Sequence, residues 1–504
     1  MSQTSAVPGM GPRDRVLALL IGSAALLVYA ATPDAVGHGD EQVFLAALSM
    51  GDGGLGYHLG YLPLARILVE LGLAADAALI WVSRASGALA VAAGYVVARL
   101  AGSARGEALL LAGALALTPS VWFCARSREV HALQLASALL ALAVAMRARR
   151  ATWKLPWLIC AALLALVSHP VNALGLGLLV LVARVPSSVR RLTLLGALLL
   201  PLGMAFLALD TTGDALRQRL PMVGSSGGLL TGIGVWLGVC LEYQPAFALA
   251  DLLEHAWLDW VSPQALWVPA AWLALLALPS ASRAEALSWW IAAAPAYLIL
   301  PALLRVREFG GYFALPMGLA LLCVARLAVS TERPASRRAL RAALAIFFGV
   351  QAFCGVRAIA HYERLGSDRA LEDLVRPIAS SSALPVVVVT CTQPRTNRLS
   401  RIPGLVPIDI RWTLDDALRA DRESQITSIT STIEQLLGTG HRVICDGAIF
   451  ETEAPTLELL PPLLEELERR FEKRELARAE GGVSLAELAL RPRAPAPLGA
   501  GLGH

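Results

Sequence analysis

The chain has 504 residues, of which 56% are hydrophobic and 16% are charged, and its mean hydropathy is +0.59. Soluble domains carry about a quarter charged residues, so this composition excludes an ordinary soluble protein. The formal net charge is only +4, and no basic patch interleaved with aromatic residues indicates a nucleic-acid partner. Apolar runs of about 20 residues recur from Val16 to about Arg357 and predict membrane spans. The runs do not alternate in polarity, so the spans are predicted to be helices.

The clustered arginines predict how the chain threads the membrane, because short cytoplasmic loops are enriched in Lys and Arg. Arg13 and Arg15 place residues 1–15 in the cytoplasm, so the loop 33–78 after the first span is extracytoplasmic. The remaining spans cross the membrane in alternating directions. The fifth and sixth spans lie between the span at roughly 131–146 and the span at roughly 192–209. The spans with predicted bounds are roughly 16–32, 79–98, 107–123, 131–146, 192–209, 264–279, 286–304, 311–329 and 340–357.

The segment 229–250 is apolar but is interrupted by Glu242 and Pro245. It is therefore either a full span or a re-entrant segment. The arginines of 330–341 are predicted to be cytoplasmic, so residue 264 has to start outside. Since Asp210 is also predicted outside, the long external loop 210–263 is expected not to cross fully. The multispanning domain 16–357 then has about 11 spans, and the region after it is extracytoplasmic.

From about Ala358 the composition changes to that of a small α/β domain, predicted over 358–490 and followed by a disordered tail, 491–504. "LPVVVVTC" and "HRVICDGAIF" predict strands, and "PPLLEELERRFEKRELARA" predicts an amphipathic helix. The predicted fold class is an all-α polytopic membrane bundle with this extracytoplasmic α/β domain. Cys391 and Cys445 each end a predicted strand. They form either a disulfide in an oxidising compartment or two buried free thiols.

Several ionisable residues collect on the predicted outer face. Charged groups at membrane depth are costly unless paired or hydrated, so they tend to line a cavity. Each one alone has an ordinary explanation, such as a helix-end charge or a local ion pair. Together they fit transfer from an anionic lipid-linked donor, because arginines bind phosphate and a carboxylate accepts the proton of an attacking hydroxyl. The residues are Asp40, Glu41, Arg126, Arg128, Glu129, His131, His169, Arg305 and Arg307.

Three short motifs carry a resemblance to a known family. The first is the acidic pair Asp40–Glu41, the second is "YHLGYLPLARIL" with His58 and Tyr61, and the third is "SVWFCARSREVHAL" with Glu129. They resemble the GT-C superfamily of membrane glycosyltransferases and, more closely, the bacterial relatives of the transmembrane protein O-mannosyltransferases. That family shows a double proline and a Glu-Val-Tyr-Ala-Leu sequence, whereas this chain lacks the double proline and has His in place of Tyr. The resemblance covers about residues 15–210.

The resemblance implies a mannosyltransferase-like enzyme of the cell envelope in the bacterial inner membrane, with a polyprenyl-phosphate-linked sugar as donor. The acceptor is a hydroxyl of a protein, lipid or glycan, and the transfer is expected to be inverting. Asp40 is then the predicted base, Glu41 its neighbour or a structural carboxylate, and Glu129 the residue that orients the acceptor. Asp40 and Glu129 are also the predicted ligands of a divalent cation, Mg²⁺ or Mn²⁺, although no cofactor is required by the pattern.

Charge and predicted side favour Arg305 and Arg307 for the donor phosphate. The other predicted substrate contacts are His58, Tyr61, Arg126, Arg128, His131 and His169.

Three other interpretations remain open. A polytopic transporter would also bury polar groups, but it favours charges near the centre of spans and an internal repeat. An O-antigen ligase or polymerase would use lipid-linked sugars too, with its key arginines and histidine in one large external loop. A non-catalytic envelope protein with the same fold is a third alternative.

Overall fold

A computed structural model describes residues 10–35, 41, 44–45, 48, 60–149, 153–168, 172, 176–183, 266–280, 282–290, 314–330, 334–363, 366–390, 393–410, 422–447, 449, 460–478 and 484–491. These residues divide into two units, the first ending at Tyr362 and the second beginning at Glu363. Helices and strands are numbered below in chain order among the described residues.

The first unit is helical. Four of its helices are long and apolar enough to cross a membrane: Pro12–Ala31, Ala75–Ala101, His131–Ala148 and Ala335–Arg357. They agree with four predicted spans, and about 11 spans remain a prediction because 192–209, 229–250 and 291–304 lie outside the described residues. The elements are α1 Pro12–Ala31, α2 Tyr61–Glu70, α3 Ala75–Ala101, α4 Arg105–Ala116, α5 Pro119–Cys124, α6 His131–Ala148, α7 Leu155–Ser168, α8 Leu176–Val182, α9 Trp267–Ala277, α10 Ala314–Ser330 and α11 Pro334–Glu363.

Helix α3 lies in the core of the first unit, because small residues along it let the neighbouring helices approach closely. A Cβ at Gly22 of α1 would lie 3.1 Å from the carbonyl oxygen of Ala88. On the other side of α3, a Cβ at Gly94 would lie 2.8 Å from Leu115 of α4. The outer faces of α1 and α11 remain apolar and exposed, as expected for helices that contact lipid.

The predicted third span, 107–123, is not one continuous helix. It forms α4 and α5, which are separated at Leu117 and Thr118. Pro119 begins α5, and proline has no backbone N–H with which to continue the hydrogen bonds of α4. The Thr118 hydroxyl donates to the carbonyl oxygen of Ala114 at 2.8 Å and stabilises the end of α4.

The second unit contains a five-stranded sheet in the order β2-β1-β3-β5-β4. β1 pairs in parallel with β2 and β3, and β5 is antiparallel to β3 and β4. Its elements are α12 Gly366–Ser381, β1 Val386–Thr390, α13 Gln393–Leu399, β2 Leu405–Asp409, α14 Arg422–Gly438, β3 Val443–Asp446, α15 Leu460–Arg470, β4 Phe471–Arg478 and β5 Ser484–Leu490. β1 is buried on both faces, which explains its continuous run of valines.

The structure of the second unit bears on the predicted long helix and on the predicted pair of cysteines. The long helix predicted over 461–479 is wrong in its second half, because α15 ends at Arg470 and Phe471 begins β4. Phe471 is buried, and pairing with β5 overrides the helical preference of the charged residues that follow it. Cys445 is a buried free thiol, and burial raises its pKa to about 12. Cys391 and residues 492–504 lie outside the described residues.

Candidate active site

Arg128 is the centre of a group of charged side chains beside the C-terminal end of α1. Its Nη1 donates to Glu41 Oε1 at 2.9 Å, and its Nη2 donates to Asp76 Oδ2 at 2.8 Å. The Nε of Arg128 also contacts Asp76, and Asp34 lies 3.8 Å from Nη2. Arg84 of α3 completes the group by donating to Asp34 at 2.6 Å. We call Asp34, Glu41, Asp76, Arg84 and Arg128 the Arg128 cluster.

The two buried members of the Arg128 cluster depend on each other. The side chains of Arg128 and Glu41 are each 3% exposed. Burial alone lowers the pKa of the Arg128 guanidinium, but the hydrogen bond to Asp76 and the charges of Glu41, Asp76 and Asp34 outweigh it. The net result is a raised pKa, so Arg128 stays charged and its position is fixed by its acidic neighbours.

The loop between α5 and α6 is bound directly to the segment after α1. Arg126 donates from Nη1 to the carbonyl oxygen of Pro33, and the N–H of Ala35 donates to the carbonyl oxygen of Arg126 at 2.9 Å. Trp122 donates from Nε1 to the Thr32 hydroxyl at 3.3 Å. These bonds hold the two segments that carry the acidic motifs against each other.

Tyr61 connects the second motif to the same region. Its hydroxyl lies 2.9 Å from Ser83 Oγ and donates to the carbonyl oxygen of Leu79 at 3.2 Å. Ser83 in turn donates to the carbonyl oxygen of Glu129 at 3.1 Å. Burial raises the pKa of the Tyr61 hydroxyl far above its ordinary value, and the charges of Glu129 and Glu41 raise it further.

The structure thus brings together part of the predicted site. Glu41 and Arg128 are in direct contact. Tyr61 is linked to the backbone of Glu129 through Ser83. Arg126 is bonded to Pro33 and Ala35 of the segment after α1. His131 is buried and its Nδ1 lies 2.9 Å from Gln134 Oε1 of the same helix. The remaining predicted site residues lie outside the described residues: Asp40, His58, His169, Arg305 and Arg307. The role of each predicted residue remains a prediction.

Sequence reasoning missed three members of the Arg128 cluster. Asp34 lies two residues after the predicted span 16–32 and Asp76 three residues before the predicted span 79–98, where isolated charges are common and attract no attention. Arg84 did carry a usable signal, because it falls inside the predicted span 79–98. An arginine within a span is expensive unless it faces a polar interior, and that cost indicates a functional or paired group.

The Arg128 cluster does not fit a divalent cation. Among the residues that the structure describes, no three His, Cys, Asp or Glu side chains are placed to hold a metal ion. In this cluster the carboxylates converge on the guanidinium of Arg128, which takes the position a metal would need. Asp40, the predicted ligand alongside Glu129, lies outside the described residues. We therefore derive no step through Mg²⁺ or Mn²⁺.

Helices long and apolar enough to cross a membrane, together with an acid–arginine cluster buried beside one end of them, define a polytopic membrane protein. A solved structure that shares the fold is ArnT from Cupriavidus metallidurans in the apo state. It has a TM-score of 0.54 and 13% identity, over 94% of this chain and 97% of that chain. The same protein bound to undecaprenyl phosphate has a TM-score of 0.56 at 13% identity, with the same coverage.

More distant similarity extends to the oligosaccharyltransferase of Archaeoglobus fulgidus in the apo form, with a TM-score of 0.47 and 12% identity over 96% of this chain and 75% of that chain. No family model matches the chain, and no curated protein matches it. The fold that this chain shares with ArnT agrees with the resemblance to the GT-C superfamily at the level of the fold alone. The closer resemblance to relatives of the O-mannosyltransferases remains a prediction.

Proposed function

We propose that this protein transfers a sugar from a polyprenyl-phosphate donor to an acceptor hydroxyl at the extracytoplasmic face of the bacterial inner membrane. The observation that carries the proposal is the contact between Arg128 and Glu41, which joins the acidic motif after α1 to the loop before α6. Those are the two segments in which GT-C enzymes carry acidic residues, according to the resemblance in sequence. The fold supports the same class of enzyme.

The donor class is supported by a structural neighbour. ArnT from Cupriavidus metallidurans has been solved with undecaprenyl phosphate bound, and its fold covers almost the whole of this chain. A phosphate at the membrane surface is an anionic leaving group, which arginine forks bind well. We assign Arg305 and Arg307 to that phosphate on the basis of charge and predicted side.

The reaction that we propose is a single displacement. The acceptor oxygen attacks the anomeric carbon and forms the new glycosidic bond, while the bond from that carbon to the phosphate oxygen breaks. The electron pair leaves with the polyprenyl phosphate, and the proton of the acceptor hydroxyl passes to Asp40. One displacement inverts the anomeric configuration.

The described residues have supporting roles in this mechanism. Asp40 directly precedes Glu41 in the chain, and Glu41 is bound by Arg128. Arg128 fixes the acidic segment, and the Tyr61–Ser83 pair fixes the backbone of Glu129. We propose that Glu129 orients the acceptor, with His58, His131 and His169 as further contacts.

The test is a membrane assay with labelled polyprenyl-phosphate sugars. We expect Asp40→Asn to lower transfer by about a thousandfold or more, since a positioned base contributes on the order of 10²–10⁴-fold. We expect Glu129→Gln to lower transfer by a smaller factor. The matched control is Glu70→Gln, which changes an exposed carboxylate on α2. Full transfer by Asp40→Asn, at equal expression, would remove Asp40 from the mechanism.

Sidedness needs a separate measurement. A reporter fused after residue 360 is expected to be active only outside the cytoplasm. A cytoplasmic signal would show that the predicted loops are assigned to the wrong side of the membrane, whatever the result of the transfer assay.

A further inference from the structure

A second charged group lies at the opposite end of α1. Asp14 accepts hydrogen bonds from Arg99 Nε at 3.0 Å and from Arg105 Nε at 2.9 Å. Two residues further along α4, Glu107 accepts from Arg337 Nε at 3.3 Å and from Arg341 Nε at 3.1 Å. We call Asp14, Glu107, Arg99, Arg105, Arg337 and Arg341 the arginine-rich cluster. The 20 residues of α1 place it about 30 Å from the Arg128 cluster.

The arginine-rich cluster has more arginines than carboxylates, so it carries a net positive charge. Each of its two carboxylates is almost fully buried and is shared by two guanidinium groups. Three of the arginines are half-exposed, with side-chain exposures of 47% for Arg105, 43% for Arg337 and 53% for Arg341. All three contact their carboxylate through Nε. Within the part of the chain that the structure describes, the terminal nitrogens of these three guanidinium groups make no hydrogen bond, so they can bind a second, anionic partner.

The surface next to these arginines is apolar and faces outward. Only 17% of the apolar window of α11 is buried inside the protein. Ile346 and Phe353 on this helix are 68% and 65% exposed. Val356, which is 57% exposed, lies about 22 Å along the helix axis from Arg341 and about 60° around it, whereas Ile346 and Phe353 lie about 120–140° around the helix from Arg341. An anion bound by Arg337 and Arg341 would thus sit at the head of a surface suited to hydrocarbon.

We propose that the arginine-rich cluster binds the phosphate of an anionic phospholipid, whose acyl chains lie along the exposed face of α11. Guanidinium forks bind phosphate oxygens in pairs, and the buried carboxylates hold the forks in place before the lipid arrives. Lys and Arg residues near the membrane surface each contribute about 1 kcal/mol to the attraction of anionic lipids. The proposal does not depend on the proposed transferase activity.

The experiment measures thermal unfolding of the full-length protein in detergent micelles during titration with phosphatidylglycerol, phosphatidylcholine or inorganic phosphate. The test variant is the triple substitution Glu107→Gln, Arg337→Gln and Arg341→Gln, which removes the arginines without leaving an unpaired buried carboxylate. We expect phosphatidylglycerol alone to raise the melting temperature of the parent protein. The variant is expected to need about 10–30-fold more of this lipid for the same shift.

Two further variants keep the test decisive. Arg337→Lys with Arg341→Lys keeps the charge for Glu107 but removes the forks, and it is expected to weaken the response to phosphatidylglycerol as well. Arg376→Gln is the matched control, since Arg376 is a 54% exposed arginine paired with Glu372 in the second unit. An unchanged titration in the triple and lysine variants would overturn the proposal, and so would an equal response to phosphatidylcholine or to inorganic phosphate.

Discussion

The two ends of the first unit pair their charges in opposite proportions. In the Arg128 cluster one buried arginine is shared by three carboxylates, those of Asp34, Glu41 and Asp76. At the other end each carboxylate is shared by two arginines. This holds for Asp14 and Glu107 and also for Glu285, which pairs with Arg149 at 2.6 Å and Arg326 at 2.9 Å.

The difference determines what each end can bind. A cluster with more carboxylates than guanidinium groups can accept a hydrogen bond or a proton from a hydroxyl group, whereas one with more guanidinium groups attracts phosphate. It also determines which substitution is costly. The group in the minority is the one that neutralises several buried charges, so its loss leaves the others uncompensated.

Arg128→Met is expected to have the largest effect on stability. It removes the guanidinium from the buried Glu41 carboxylate and from Asp76 and Asp34 together. Breaking a buried pair by removing one partner costs about 3–5 kcal/mol. The measurement is the free energy of unfolding in detergent micelles.

The control for Arg128→Met is the double substitution Arg128→Met with Glu41→Gln, which is expected to recover part of the loss. Arg147→Met, at an exposed arginine of α6, is the matched change of residue type. A loss below about 1 kcal/mol in Arg128→Met would show that the acidic side chains of the cluster do not depend on this arginine.

Glu107→Gln is expected to cost less, about 1–2 kcal/mol, although it also removes the shared group. Its partners Arg337 and Arg341 are half-exposed, so they can turn toward water when the carboxylate is gone. The same unfolding measurement checks it. If Glu107→Gln costs as much as Arg128→Met, then exposure of the partners does not explain the difference between the two ends.

The sequence was sufficient to predict the class of the first unit and part of its site. Apolar runs predict α1, α3 and α6 because a hydrocarbon core sets their length, and the acidic motif pointed to Glu41. The pairing of Glu41 with Arg128 was not predictable, since 87 residues separate them and the contact requires the loop between α5 and α6 to pack against the segment after α1. Nothing in the local pattern distinguishes Asp34 or Asp76 from ordinary helix-end charges.

In the second unit the interior strand β1 was the easiest to predict, and the edge strand β4 was the hardest. The four valines of β1 are apolar on both faces, and that pattern has few alternatives. Residues 471–478 carry a helix-like sequence of charges, yet they form β4 because β5 offers a hydrogen-bonding partner. The pairing with β5 outweighs the local preference of these charged residues, so a prediction from local preference fails there.

Tyr61→Phe is expected to cost about 1 kcal/mol, because it removes one buried hydroxyl that bonds Ser83 and the carbonyl oxygen of Leu79. The matched substitution at the other end is Tyr95→Phe, which removes a hydroxyl bonded to Asp14 at 3.2 Å. Unfolding of the two variants in parallel compares the ends directly. A neutral Tyr61→Phe would mean that the bond between α2 and α3 does not stabilise the acidic end.

Asp34→Asn is expected to have the smallest effect, below about 1 kcal/mol. Asp34 is 34% exposed and lies at the rim of the Arg128 cluster, where water screens its attraction to Arg84 and Arg128. Arg128 keeps Glu41 and Asp76 in this variant, so the buried pair remains intact. The check is again the free energy of unfolding, measured at low and high salt, since a screened pair loses its small contribution as salt rises. A loss as large as that of Arg128→Met would contradict the distinction between buried and exposed members of the cluster.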